Sequence, residues 1–339
     1  MEDPNLSFKI INDEGVEKFM NSQIYQDIIN FISDLNTSVI GVEMKPLDKF
    51  VLKSENNENI DNIDNMLFLS KNVYNILQLI KTMNVCIDKC PPIKHPTRFG
   101  NKAFPNFCDE YYKEVDQQLP NILKDSGISN ISEHTYQLSF YLKNSIGNKK
   151  RIDYGTGHEL NFLLFLFCLN KLTFFSTPDH RHLVLVLYKQ YLECVRRIQV
   201  VYNVEPAGSR GAWGLDDFQF LVFLFGAAQL SYNKEIQTND VEKKELVELW
   251  ASKYLYFDAL RYILMVFKYV ELKHAPFHES SQMLYDISGV KTCKLLVREP
   301  ECASICTYHR NSIFLKLFFV PFRLFFFASF FSPLFFYVF

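Results

Sequence analysis

Apolar residues recur along this chain at three- and four-residue steps, a pattern that predicts a succession of amphipathic helices. Over 14–35 the set Val16, Phe19, Met20, Ile24, Ile28, Phe31, Ile32 and Leu35 predicts one helix. The Asn- and acid-rich segment 54–65, SENNENIDNIDN, has nothing to bury and reads as a solvated loop. Periodicity resumes over 66–83 through Leu69, Val73, Ile76, Leu77 and Ile80, and Pro91, Pro92 and Pro96 then enforce an extended connection. A short helical run over 133–143 is closed by Gly147. The nearly continuous apolar run over 160–175 is interrupted by Asn161, Asn170 and Lys171, so it reads as a buried core helix and not as a membrane span. Further helices are predicted over 183–202, over 218–230, where Gly226, Ala227 and Ala228 permit close packing, and over 243–270, with a charged first turn. No alternating segments bounded by hairpin turns, no repeat and no linker are visible, so the fold class is predicted to be all-α.

Composition narrows the functional classes. With 339 residues, 48% apolar, the chain can hold one large domain or two ordinary ones, and a formal net charge of −2 with no basic face argues against nucleic acid as a partner. The 8 cysteines are scattered and no signal-peptide pattern is read ahead of them, so reduced thiols are expected, in the cytoplasm with the nucleus as a second compartment. Cys86 and Cys90 lack a second pair at zinc-ribbon spacing.

Candidate chemistry concentrates in two places. The stretch EPAGSRGAWGLDDF at 205–218 sets Glu205, Gly208, Gly211, Trp213, Gly214, Asp216 and Asp217 between two apolar helices. Its glycines let backbone approach a ligand, and Asp216 is expected to cap a helix starting at Phe218. One carboxylate can cap while the other faces a divalent cation of the magnesium type; a cap plus a first-turn acid needs no ligand at all. The second place is RIDYGTGHE at 151–159, where Gly155, Thr156 and Gly157 precede a helix and Arg151 can pair with a phosphate oxygen. By itself it serves equally as a structural glycine turn or a phosphate cradle. It is neither a dinucleotide fingerprint nor a Walker A loop, and His158-Glu159 is no zincin pair because Phe162 stands in the second histidine position. His274, Pro276, His278 and Glu279 match no metal motif and are expected to pack at a rim.

Four blocks, RFGNKAF at 98–104, RIDYGTGHE at 151–159, EPAGSRGAWGLDDFQFLVFLFGAAQL at 205–230 and LYDISGVKT at 284–292, occur in an order that resembles the phosphotyrosyl phosphatase activator family, the activators of protein phosphatase 2A. The resemblance implies a single all-α domain over 1–292 with core, lid and linker subdomains and a pocket for ATP with magnesium. It further implies action on the phosphatase 2A catalytic subunit and peptidyl-prolyl cis/trans isomerase activity on proline-containing peptide segments. Carried over by position, Arg151, Thr156 and Gly157 resemble nucleotide contacts, and Gly211 and Asp217 the magnesium site. The chain departs from the family at Pro105, Phe107, Val222 and Phe225, where Arg, Trp, Pro and Trp are usual, and Pro105 is expected to break any helix begun before it. Readings from other classes are a stand-alone magnesium-dependent ATP hydrolase and a membrane-tethered, non-catalytic binding protein.

The tethered reading depends on residues 293–339, which leave the family pattern at Cys293. Over 313–339 the chain is long enough to span a bilayer, but Lys316, Pro321, Arg323 and Pro333 interrupt it. From Ser312 onward, 21 of 28 residues are Phe, Leu, Ser or Pro, which all-pyrimidine codons encode, so the tail is expected to be translated non-coding sequence.

Overall fold

Helices account for almost all regular structure in the computed structural model, which describes residues 13–52, 67–94, 100–207, 218–236, 240–241 and 243–266. Among these, residues 13–34 belong to one compact unit and those from Leu35 onward to another. Within the first, the single helix expected over 14–35 is two: α1 (Asp13–Met20) and α2 (Gln23–Ser38), which runs on past the unit's edge. The break is chemical, because the Ser22 hydroxyl accepts from the Tyr25 amide at 3.3 Å and so caps α2. Across it the Phe19 and Tyr25 rings meet edge to face at 5.4 Å.

In the second unit, β1 (Phe50–Leu52) and β2 (Leu67–Leu69) form a parallel pair, Phe50 opposite Leu67. The helix expected from residue 66 therefore begins later, as α3 (Lys71–Lys89), where the Ser70 hydroxyl accepts from the Val73 amide. Periodicity did not separate the strand from the helix because Leu67 and Leu69 are apolar on either reading. Next comes α4 (Phe104–Asp125), which packs between α3 and α5 (Ile131–Asn144). Pro105 lies in its first turn, where an amide hydrogen has no intrahelical acceptor to lose, so it starts the helix instead of breaking it. Phe104, Phe107, Cys108, Tyr111, Val115, Leu119 and Leu123 make its buried stripe.

The central element is α6 (Thr156–Lys171), buried on all its faces from His158 to Phe167. The helix expected over 183–202 is continuous with α7 (His180–His182), but residues Leu183–Tyr188 are π-helical before α8 (Lys189–Tyr202) resumes the α form. After β3 (Asp153–Tyr154) and β4 (Glu205–Pro206), taken up below, α9 spans Leu221–Gln229. The single helix expected over 243–270 is again two, α10 (Lys244–Trp250) and α11 (Leu255–Val266), with 267–270 outside the described residues. Here the break follows from a tertiary bond: the Leu255 amide donates to Oε1 of buried Gln229 at 2.8 Å. No helix among the described residues is long and apolar enough to cross a membrane. The Phe-rich tail and the His274–Glu279 cluster lie outside the described residues.

Two features hold α8, α9 and α11 together. A side chain on Gly226 would place Cβ 2.2 Å from the Tyr256 nitrogen, so α9 and α11 touch backbone to backbone. Asp258, 2% exposed, accepts from Arg196 at 2.5 Å, Lys189 at 3.0 Å and Arg261 at 3.0 Å. Burial would raise its carboxyl, but Arg196 and Lys189 outweigh that and hold it below the ordinary range. Its contribution is therefore present at neutral pH and is lost as pH falls through the lowered folded value.

Gly226→Ala, helix-favouring on an exposed face, is expected to destabilise here by about 1–3 kcal/mol through overpacking. Asp258→Ala, which removes the carboxylate partner of buried Arg196, is expected to cost about 3–5 kcal/mol. Urea unfolding followed by circular dichroism measures both; an unfolding midpoint for either variant at or above that of the natural chain would refute the corresponding account.

Candidate functional site

The chain enters α6 through a turn that its own polar groups close. Gly147, at φ +113°, passes so near the Asp153 carbonyl that a Cβ would lie 2.8 Å from that oxygen. The Asn148 side-chain oxygen then accepts from the amides of Lys150 and Arg151 at 3.0 and 2.9 Å, and the Asn148 amide donates to the Asp153 carbonyl at 2.9 Å. The turn drives Ile152 to φ 54°, a left-handed conformation that a β-branched residue adopts only when its surroundings dictate it. From this turn β3 emerges and pairs in parallel with β4, Asp153 opposite Glu205 and Tyr154 opposite Pro206. The Glu205 amide donates to the Ile152 carbonyl at 3.2 Å and the Ala207 amide to the Tyr154 carbonyl at 2.7 Å.

Behind the pairing lies a buried polar chain. The hydroxyls of Tyr154 and Tyr191 are 2.6 Å apart, Tyr191 donates to the Ser145 carbonyl at 2.7 Å, and its ring stacks on Phe162 at 3.9 Å. His158 Nδ1 lies 2.5 Å from the Asn144 carbonyl and so carries the proton, which turns Nε2 toward Asp153 Oδ1, 3.9 Å away. In front, Arg151 forks onto Asp153, Nε to Oδ2 at 2.6 Å and Nη2 to Oδ1 at 3.2 Å. Partial burial pushes the Asp153 carboxyl up, but the His158 ring and the Arg151 guanidinium beside it prevail and hold it below its ordinary range.

Gly155 is the N-cap of α6 and has no side chain to cap it, and Thr156 and Gly157 open the first turn. Among the described residues, a helix of 16 residues with a guanidinium five residues ahead of its first residue presents a positive end of the kind suited to an anion.

Glu159 lies one turn inside α6 and is wholly buried. Its Oε1 accepts from the Tyr188 hydroxyl at 2.5 Å, its Oε2 from the Phe220 amide at 2.7 Å, and both oxygens lie 3.2 Å from the Leu221 amide. Tyr188 is the last residue of the π-helical stretch, whose wider turn is a frequent companion of functional positions. Burial pushes the Glu159 carboxyl up to about 7, against the pull of the Tyr188 hydroxyl, the two amides and Arg196.

Of the residues singled out from sequence, Arg151, Thr156, Gly157 and Glu205 are thus brought to one place. Gly208, Gly211, Trp213, Gly214, Asp216 and Asp217 lie outside the described residues. The helix start expected at Phe218 is corrected: α9 begins at Leu221, three residues later, and Glu159 of α6 accepts the amides of Phe220 and Leu221. Sequence reasoning passed over Glu159, Asp153 and Tyr188. A visible signal for the first was a lone carboxylate on a helix with no other charged residue before Lys171.

Comparison with known proteins follows the same blocks. A family model described as phosphotyrosyl phosphate activator (PTPA) protein matches residues 6–297. The chain is 35% identical over 281 residues to a probable serine/threonine-protein phosphatase 2A activator 1 of Dictyostelium discoideum, covering 83% of this chain and 78% of that one. It is 39% identical over 289 residues to a serine/threonine-protein phosphatase 2A activator 2 of Candida glabrata, covering 84% and 73%. The crystal structure of the PP2A phosphatase activator Ypa1 PTPA1 is similar with a TM-score of 0.68 at 25% identity, over 96% of this chain and 95% of that chain.

A carboxyl raised from 4.5 to about 7 in the fold makes the native state bind the extra proton. Its contribution to stability is fully present below pH 4.5 and is lost as pH rises through about 7. Glu159→Gln removes that titration and keeps acceptors for the amides. The stability difference between this variant and the natural chain is therefore expected to shift in the variant's favour as pH rises from 5 to 8, measured by urea unfolding across that range. A difference independent of pH would refute it.

Proposed function

The chain belongs to the PTPA family, and we propose that it activates serine/threonine-protein phosphatase 2A by binding the catalytic subunit with ATP and magnesium in a composite site. The observation that carries this reading is the pairing of β3 with β4, which sets the N-terminus of α6 and Arg151 beside the beginning of the glycine-rich stretch. A guanidinium and helix amides are donors of the kind that receive phosphate oxygens, and a nucleotide would take Arg151 in exchange for its present partner Asp153. Arg151 and the first turn at Thr156 and Gly157 would hold the nucleotide. Gly211 and Asp217, outside the described residues, would hold magnesium, with Glu205, Gly208, Trp213 and Asp216 in support. When bound, the magnesium nucleotide would supply a polyanion and a hard cation at the surface offered to the phosphatase.

Activation on this reading is a binding mechanism: a surface that holds one conformation of the phosphatase, its metal-loaded form, shifts the population toward it. Prolyl isomerase activity is the enzymatic part of the proposal, with proline-containing segments as substrate. Rotation about a prolyl bond requires a pocket that desolvates and twists the amide and needs no nucleophile, so the lack of a catalytic triad does not count against this activity.

Asp217→Ala is expected to abolish ATP-dependent activation of phosphatase 2A with the helical signal unchanged. Arg151→Ala is expected to weaken ATP binding about tenfold or more, as loss of a charge-assisted contact does. Phosphatase assays with and without ATP, alongside circular dichroism, read both. Unchanged activation by either variant would remove that residue from the site, and robust phosphate release by the protein alone would replace the activator with a hydrolase.

A further inference from the structure

Arg196 of α8 is buried, yet it uses only one of its three nitrogens. Nη1 donates to Asp258 Oδ2 at 2.5 Å, while Nε and Nη2 have no acceptor among the described residues. Those two nitrogens lie along one edge of the guanidinium, the edge that offers two parallel N–H bonds to an anion. One turn further along α8, Gln199 repeats the pattern: its Oε1 accepts from the Tyr262 hydroxyl at 2.6 Å, and its Nε2 has no acceptor among the described residues. Tyr262 of α11 ties the two together, because its ring centroid also lies 4.6 Å from Arg196 Cζ. Arg196 and Gln199 are 8% and 5% exposed, so bulk water does not serve these donors.

A buried donor left without an acceptor is costly and rare in folded proteins, and three on one helix face call for an acceptor between them. All three atoms are donors, which excludes a metal cation. The charge balance points the same way. Asp258 is shared by Arg196 at 2.5 Å, Lys189 at 3.0 Å and Arg261 at 3.0 Å, three cations on one carboxylate. Among the described residues, Glu193 gives Lys189 a second partner at 3.3 Å from a half-exposed position, and Glu159 acts on Arg196 only at a distance. Neither places an oxygen on the Nε–Nη2 edge. Donors without acceptors and a surplus of positive charge are separate observations, and together they favour an anion over a neutral acceptor.

We propose that the Nε–Nη2 edge of Arg196 and Nε2 of Gln199 form a binding site for one small monovalent anion, of chloride or formate size, beside Tyr262 where α8 meets α11. Burial sets the size limit, because a phosphate ester or a peptide carboxylate could enter only if the two helices parted. Arg261, 43% exposed, carries the cluster to the surface and gives a small ion a charged route inward. The bound anion completes the charge balance around Asp258, so the stability of this helix contact depends on which anion is present and not on ionic strength alone. The site is independent of the nucleotide reading.

The test is thermal unfolding of the full chain in sodium chloride and in sodium formate, with sodium gluconate, whose anion is too large for the site, holding ionic strength constant. The natural chain's midpoint is expected to rise with the logarithm of chloride or formate concentration, as it does for a ligand of the native state, and the salt that acts at the lower concentration identifies the preferred ion. Arg196→Lys keeps a cation for Asp258 but has no Nε–Nη2 edge. Gln199→Glu keeps an acceptor for Tyr262 and puts a like charge where the donor was. Each variant is expected to weaken the anion about tenfold or more, so that its midpoint no longer separates the three salts. Broadening of the chloride NMR line by the folded protein reads binding directly, and is expected for the natural chain and lost in Gln199→Glu, should the lysine variant fail to fold. One midpoint in all three salts for the natural chain, or a full anion response retained by either variant, would overturn the site.

Discussion

The parallel pairing of Asp153–Tyr154 with Glu205–Pro206 is the constraint on which the site's arrangement depends. Helices satisfy their own backbone, so segments between them must find partners elsewhere or face water. These two segments find each other, and the consequence is topological: the end of α8 and the beginning of α6 become neighbours although α6 precedes α8 by a long connection. The pairing could not stand alone, since a ladder of two residues is far below the length at which sheets are stable. It is held by what surrounds it: the Asn148 turn, the Tyr154–Tyr191 contact and the glycine that lets Asp153 approach.

Two buried carboxylates show how differently the fold treats a charge. Asp258 meets Arg196, Lys189 and Arg261, and its carboxyl is held low. Glu159 meets one hydroxyl and two amides, with Arg196 acting only at a distance, and burial lifts it to about 7. The distinction follows from partner charge: full cations offset desolvation, whereas dipolar donors offset only part of it. Asp258 consequently works as a fastener between helices at any ordinary pH. Glu159, its carboxyl raised by burial, holds its partners by geometry.

Helix periods carried most of the fold, because apolar stripes such as Val73, Ile76, Leu77 and Ile80 follow from burial alone. The errors fell where a hydrogen bond, and not burial, sets the boundary: Ser22 splitting α1 from α2, Gln229 starting α11 and Glu159 starting α9. The last two are made across the fold, and no window along the chain contains both partners. Helix α4 went unread, although Phe104, Phe107, Tyr111 and Val115 recur at three- and four-residue steps and Pro105 in the first turn is harmless. Within the site, Arg151, Thr156 and Gly157 were legible since glycine and arginine announce backbone approach and charge. Asp153 and Tyr188 carry no such signal, as their roles exist only once β3 and the π-helical stretch are in place.

Arg151 is already engaged by Asp153, and a ligand would have to compete for it. The Arg151 side chain is 45% exposed, so solvent weakens either contact, and on the nucleotide reading proposed above the exchange is between charge-assisted contacts of about equal strength. The ion pair thus holds the guanidinium at the mouth of the turn in a defined orientation.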